Sequence, residues 1–102
     1  MIEVQILIPV AGNDGVSFGD DHHKAFEDFV LDLCGGLTLN PATATGSWTG
    51  AEKRYDDTLR VYSVAIESIA DGDKIARIVR IAKVHYAQEA IFLRYLGIAE
   101  IL

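Results

Sequence analysis

Leu59-Arg60-Val61-Tyr62-Ser63-Val64-Ala65-Ile66-Glu67 is the stretch that decides the fold. Val61 and Ala65 fall on one side of an extended chain, Val64 and Ile66 on the other, so both faces are apolar and the segment reads as a central strand. Upstream, the polar run Glu52 to Asp57 reads as a hairpin loop. It leads back to an irregular strand from Leu37 to Trp48, where Pro41 and the alternating Thr43, Thr45, Ser47 and Thr49 suit a sheet edge with one wet face. Further back, Ile2, Val4, Ile6, Ile8 and Val10 alternate with Glu3, Gln5 and Leu7 as a first strand. Gly12-Asn13-Asp14-Gly15 breaks it. Asp20 or Asp21 then caps a helix with apolar positions Phe26, Phe29, Val30 and Leu33, and Gly35-Gly36 ends it. Downstream, Asp71-Gly72-Asp73 opens a second helix running to Gln88. A last strand, Ala90 to Leu96, precedes Gly97 and a short apolar tail, Ile98 to Leu102.

The order β-α-β-β-α-β is that of a ferredoxin-like α+β sandwich, one domain over residues 1–102. Right-handed crossovers put the first and third strands at the centre of a four-stranded antiparallel sheet, with both helices on one face. The bare face is expected to be too apolar to meet water over its whole area: the third strand has two apolar faces, and the last has Ile91, Leu93 and Tyr95 against Phe92 and Leu96. A homo-oligomer, most simply a dimer packed sheet to sheet or through the last strand or tail, is the expected remedy.

Composition narrows the function classes. Half of the 102 residues are apolar and 24% are charged, which excludes disorder. A single cysteine excludes an internal disulfide and a cysteine-rich zinc site. Fifteen acids against nine bases give a net charge of −6 and argue against a nucleic-acid partner, whose phosphates need clustered Lys and Arg. That charge is local: residues 1–50 hold seven acids and one base, Lys24, and the second half is balanced. The N-terminal run alternates, lacks a basic start and carries Glu3, so a strand rather than a leader is expected. No apolar run is long enough for a membrane span, and a cytoplasmic location is the expectation.

Four groups of residues can carry chemistry. The glycine loop 12–19 lacks the Gly-Lys-Ser/Thr of a phosphate loop and reads as a structural turn. His22 and His23 open the first helix; His22, in line with Phe26 and Phe29, is expected to face inward and His23 the flank. A neutral imidazole there can act as a base, or with Asp20 as a metal ligand. His85 and Glu89, four apart at the end of the second helix, form either a rim pair or a base with its orienting partner, and Arg94 can neutralise Glu89. Trp48, between Gly46 and Gly50, packs over the third strand or anchors an interface or ligand. Trp48, Tyr86, Glu89 and Arg94 are the ligand-binding candidates; His22, His85 and Glu89 the catalytic ones; His22, His23 and Asp20 the metal ones. Cys34, without a nearby histidine in sequence, is not expected to be a nucleophile.

The chain resembles a group of small uncharacterised bacterial proteins with a ferredoxin-like fold. The resemblance lies in Ile8-Pro9, Asn13-Asp14-Gly15 with Phe18, Phe29, Gly35-Gly36-Leu37-Thr38, Gly46-Ser47-Trp48 and Gln88-Glu89-Ala90-Ile91. It implies no reaction and no catalytic residue, and it suggests that the start of the second strand, Trp48 and Gln88-Glu89 share a neighbourhood. Two functions remain open: a homo-oligomeric binding module with a cleft near Trp48 and Glu89, or an enzyme of the proton-transfer or isomerase type that uses His and Glu. No cofactor is expected for either.

Overall fold

The computed structural model describes residues 1–98, so the tail beyond Ile98 lies outside the described residues. The elements are β1 (Ile2–Pro9), α1 (Asp20–Cys34), β2 (Thr38–Leu39), β3 (Ala44–Thr49), β4 (Arg54–Ile66), α2 (Gly72–His85) and β5 (Phe92–Ile98), with a short 3-10 turn, Ile69–Asp71, leading into α2. The chain is α+β and ferredoxin-like. β1 and β4 lie at the centre, β5 borders β1, and β2 and β3 share the outer edge of β4, all antiparallel.

The alternation in β1 builds the core. Val4, Ile6 and Ile8 point to the helices and pack with Tyr62, Val64 and Ile66 of β4, Phe26 and Val30 of α1, and Ile75, Ile78 and Ala82 of α2. Leu7 points the other way and meets Leu59 and Val61 in a second, small cluster. Gly35 ends α1 in the left-handed conformation, φ 75°, and its N–H bonds Leu31 O. That is the expected glycine stop. Among the described residues no helix is long and apolar enough to cross a membrane.

Several boundaries differ from the sequence reading, the last strand among them, which runs Phe92–Ile98 rather than Ala90 to Leu96. The single edge strand expected from Leu37 to Trp48 is two strands. Leu39 faces Tyr62 and Ala44 faces Leu59, so five steps along the edge oppose three along β4. The extra length bulges out around Pro41, which has no N–H for a ladder. The expected loop Glu52 to Asp57 is mostly strand: β4 starts at Arg54, and only residues 50–53 turn, closed by Gly50 N–H to Lys53 O at 2.8 Å. Side-chain pairing carries these polar residues. Trp48 faces Tyr55, Ser47 Oγ donates to Asp56 at 2.7 Å, and Arg54 bonds Asp56 at 2.9 Å. Finally, α2 ends at His85 rather than Gln88, because Ala87 turns left-handed (φ 51°).

The bare sheet face is less exposed than its composition implies. Leu7, Leu59 and Val61 are buried within the single chain. An added Cβ at Gly46 would lie 2.8 Å from the Trp48 ring and 3.0 Å from Leu59. Glycine at that position is what lets the indole fold down over the sheet.

Candidate functional site

β4 runs on past the end of β1: Leu59 faces Pro9, Thr58 O accepts Val10 N–H at 3.1 Å, and residues 54–57 pair only with β3 among the described residues. The projecting β3–β4 hairpin therefore forms one wall of an open cleft. The loops after β1 and after α2 form the other. The cleft has a volume of about 1030 Å³ and sits on the bare face of the sheet. Trp48, Tyr55 and Phe92 are its aromatic walls, and Asp57, Gln88 and Glu89 are among its polar groups. Trp48 and Phe92 lie 6.0 Å apart between ring centres. The indole is aimed by Asp57, whose Oδ2 accepts its N–H at 2.6 Å. No Lys or Arg is among the described residues lining the cleft. Three cations contact lining residues: Lys53 lies over the Tyr55 ring, Arg94 over the Phe92 ring, and Arg54 pairs with Asp56.

Behind the second wall, all three histidines of the chain converge between the start of α1 and the end of α2. His22 Nε2–H donates to His85 O at 2.6 Å, and His85 Nε2–H donates to His22 O at 2.7 Å. A carbonyl only accepts, so each ring carries its proton on Nε2. The rings stack with centres 3.8 Å apart, and Phe18 stacks on the far side of His22 at 4.9 Å. His22 thereby satisfies a carbonyl at the end of α2 that has no partner within the helix. His23 Nδ1 and the Tyr86 hydroxyl share a hydrogen bond of 2.8 Å.

His23, not His22, is the inward residue. His23 is 4% exposed, in line with buried Phe26 and Val30, whereas His22 is half-buried. The helix starts at Asp20, and Gly19 rather than an aspartate occupies the cap without a side-chain bond. Burial, and next the Arg60 guanidinium, push the His23 pKa below the ordinary 6.5, so the folded state keeps it neutral. The unfolded chain then binds more protons than the folded one just below that value. Stability from this group is therefore full above pH 6.5 and is lost as the pH falls through the folded value. Thermal melts at falling pH are expected to show a declining midpoint from there, and a level or rising midpoint overturns the assignment.

The other predicted residues fall as follows. Glu89 is in the cleft, but the helix has ended before it, so it and His85 do not form a helical pair. Arg94 lies over Phe92 and makes no ion pair with Glu89 among the described residues. Tyr86 is fully buried between the helices, away from the cleft. Among the described residues Asp20, His22 and His23 are not gathered with one another into a group that could hold a metal ion. Trp48 and Gln88-Glu89 share the cleft as the resemblance suggests. The Gly36-Leu37-Thr38 start does not, because Thr38 pairs with Ser63, eight residues along β4 from the Tyr55 that faces Trp48. Burial raises the Cys34 thiol pKa, which favours its unreactive form. Tyr55, Asp57 and Phe92 escape the sequence reading as site residues. Tyr55 and Asp57 lie in the segment read as a loop, where no strand periodicity singles out a face.

No protein-family model matches the chain, and no curated protein matches it in sequence. Solved structures do match in fold. The divalent cation tolerance protein Cut A1 from Thermus thermophilus superposes with a TM-score of 0.66 at 14% identity, covering 99% of this chain and 86% of that one. The periplasmic divalent cation tolerance protein CutA from Archaeoglobus fulgidus gives 0.65 at 13%, covering 99% and 86%. A phage SAM lyase in complex with S-methyl-5'-thioadenosine gives 0.66 at 12%, covering 98% and 84%.

Proposed function

We infer that this chain is a homo-oligomeric binding module whose cleft takes a small organic ligand with a planar ring and a positive charge. The observation that carries the reading is the cleft lining: Trp48, Tyr55 and Phe92 beside Asp57 and Glu89, with no basic residue among the described lining. Aromatic faces attract both flat rings and cations, and carboxylates in a partly shielded cleft add charge complementarity. The phage SAM lyase, bound to S-methyl-5'-thioadenosine, is a chain of this fold holding a nucleoside thioether. That compound and SAM, its positively charged sulfonium counterpart, are therefore fitting probes.

The sole tryptophan reports directly on the site. SAM is expected to change Trp48 fluorescence saturably, and Glu89→Gln to weaken SAM by about tenfold, the loss of one charged contact, while weakening the neutral thioether less. No saturable change with either compound at about 1 mM overturns the reading.

The oligomer rests on the α2–β5 side. Val84 is 80% exposed and Tyr95 63%, and both line an open groove between α2 and β5. β5 pairs only with β1 among the described residues, so its outer edge can take a second copy. Light scattering after size exclusion is expected to give a multiple of the chain mass, reduced by Tyr95→Glu. A monomer at micromolar concentration overturns this part.

A further inference from the structure

We propose that His22 and His85 are positioning residues for the cleft: their reciprocal clasp holds together the two loops that form its second wall, and a proton on both rings releases them. This rests on the cleft being the binding site. Each ring sits beside one of those loops. Phe18, which closes the loop after β1 through its N–H to Val10 O at 2.9 Å, stacks on His22. His85 is the last residue of α2, and the chain from Tyr86 leads through left-handed Ala87 to Gln88 and Glu89 in the cleft. The loop after β1 supplies Gly12 and Gly15 to the same wall. The two hydrogen bonds of 2.6 and 2.7 Å therefore join the loops at their bases.

The clasp also senses acid by construction. With neither ring or one ring protonated, both Nε2–H groups still donate to their carbonyls. With both protonated, two cations face each other with ring centres 3.8 Å apart, and neither ring is bonded to a carboxylate among the described residues. Arg60 and Glu27 act on the neighbouring His23 and Tyr86, Asp20 acts on His23, and Asp21 adjoins His22 in the chain. Arg60 is bound to Glu27 at 3.2 Å, so that acid is already engaged. Asp14 in the loop after β1 accepts Val16 N–H at 3.0 Å. Glu27 and Asp14 are held elsewhere, and among the described residues neither Asp20 nor Asp21 bonds either ring, so separating the rings relieves the doubly charged pair.

The test is an amide NMR titration of the wild-type chain from about pH 7.5 to about pH 5, the histidine range, without ligand. The amides of Gln88, Glu89, Gly12 and Gly15 are expected to shift together with the His22 and His85 ring protons, while β1 and β4 amides stay in place. Gln presents an Nε2–H at similar reach and does not titrate, so His85→Gln is expected to keep the loops in place and abolish the shift. His85→Phe keeps a ring but loses the donor, and is expected to displace the same amides at every pH. Loop amides that ignore histidine protonation in the wild type, or that shift equally in His85→Gln, overturn the proposal. The wild-type titration decides even where a variant does not fold. SAM binding is measured separately: amide shifts without SAM binding uphold the clasp and reject only the ligand, whereas SAM binding with static loops does the reverse.

Discussion

Tyr86→Ala is expected to destabilise the fold by about 3–5 kcal/mol, a large share of what a domain of this size holds in reserve. Tyr86 is fully buried and touches Phe18, His22, Phe26 and His85 edge-on, with ring centres 4.9 to 5.5 Å away. Its removal opens a cavity at the junction of both helices and also orphans His23 Nδ1. Tyr86→Phe separates the two effects: it keeps the ring and loses the hydroxyl, so about 1–3 kcal/mol is expected from the unpaired, buried imidazole nitrogen. Urea unfolding of both variants measures the difference. Equal losses in the two would mean that the hydrogen bond, not the packing, dominates the site.

Glu27→Ala is the second large effect, about 2–3 kcal/mol. Glu27 reaches from α1 to β4, where its Oε2 accepts from the Tyr62 hydroxyl at 2.7 Å and from Arg60 at 3.2 Å. Tyr62 is fully buried, and burial followed by this bond raises its pKa above the ordinary 10.0. Alanine leaves a buried hydroxyl and a half-buried guanidinium without this acceptor. Glu27→Gln keeps an acceptor and is expected to cost less. In a double-mutant cycle with Tyr62→Phe, the loss on removing Glu27 is expected to shrink, because the orphaned hydroxyl is gone. Additive losses would show that Glu27 acts through Arg60 alone.

Both predictions concern contacts between elements, and that is where the sequence is least legible. The α1 stripe of apolar residues is visible in it, but not the one-residue rotation that puts His23 inside and His22 at the helix junction. Successive helical residues point about 100° apart, so a stripe of this width admits either histidine. Tyr86, Trp48 and Glu89 all stand out in the sequence. Only the packing separates Tyr86, which joins the helices, from Trp48 and Glu89, which face the cleft.

By itself the sequence determined the order of elements apart from the split edge strand, the two central strands, the glycine stop of α1 and the local acidity, because periodicity, left-handed glycines and charge are properties of neighbouring residues. It also placed the excess of apolar residues on the sheet. Tertiary structure decided where that excess goes: Trp48 folds over Gly46 and Leu59, and Leu7 and Val61 are buried without a second chain. It likewise turned a polar run into the strand that makes the cleft, through cross-strand pairs such as Trp48 with Tyr55. It closed the two histidines on each other's carbonyls across 63 positions of chain. Such contacts depend on which distant backbone passes nearby, and a single chain of letters does not encode that in any local pattern.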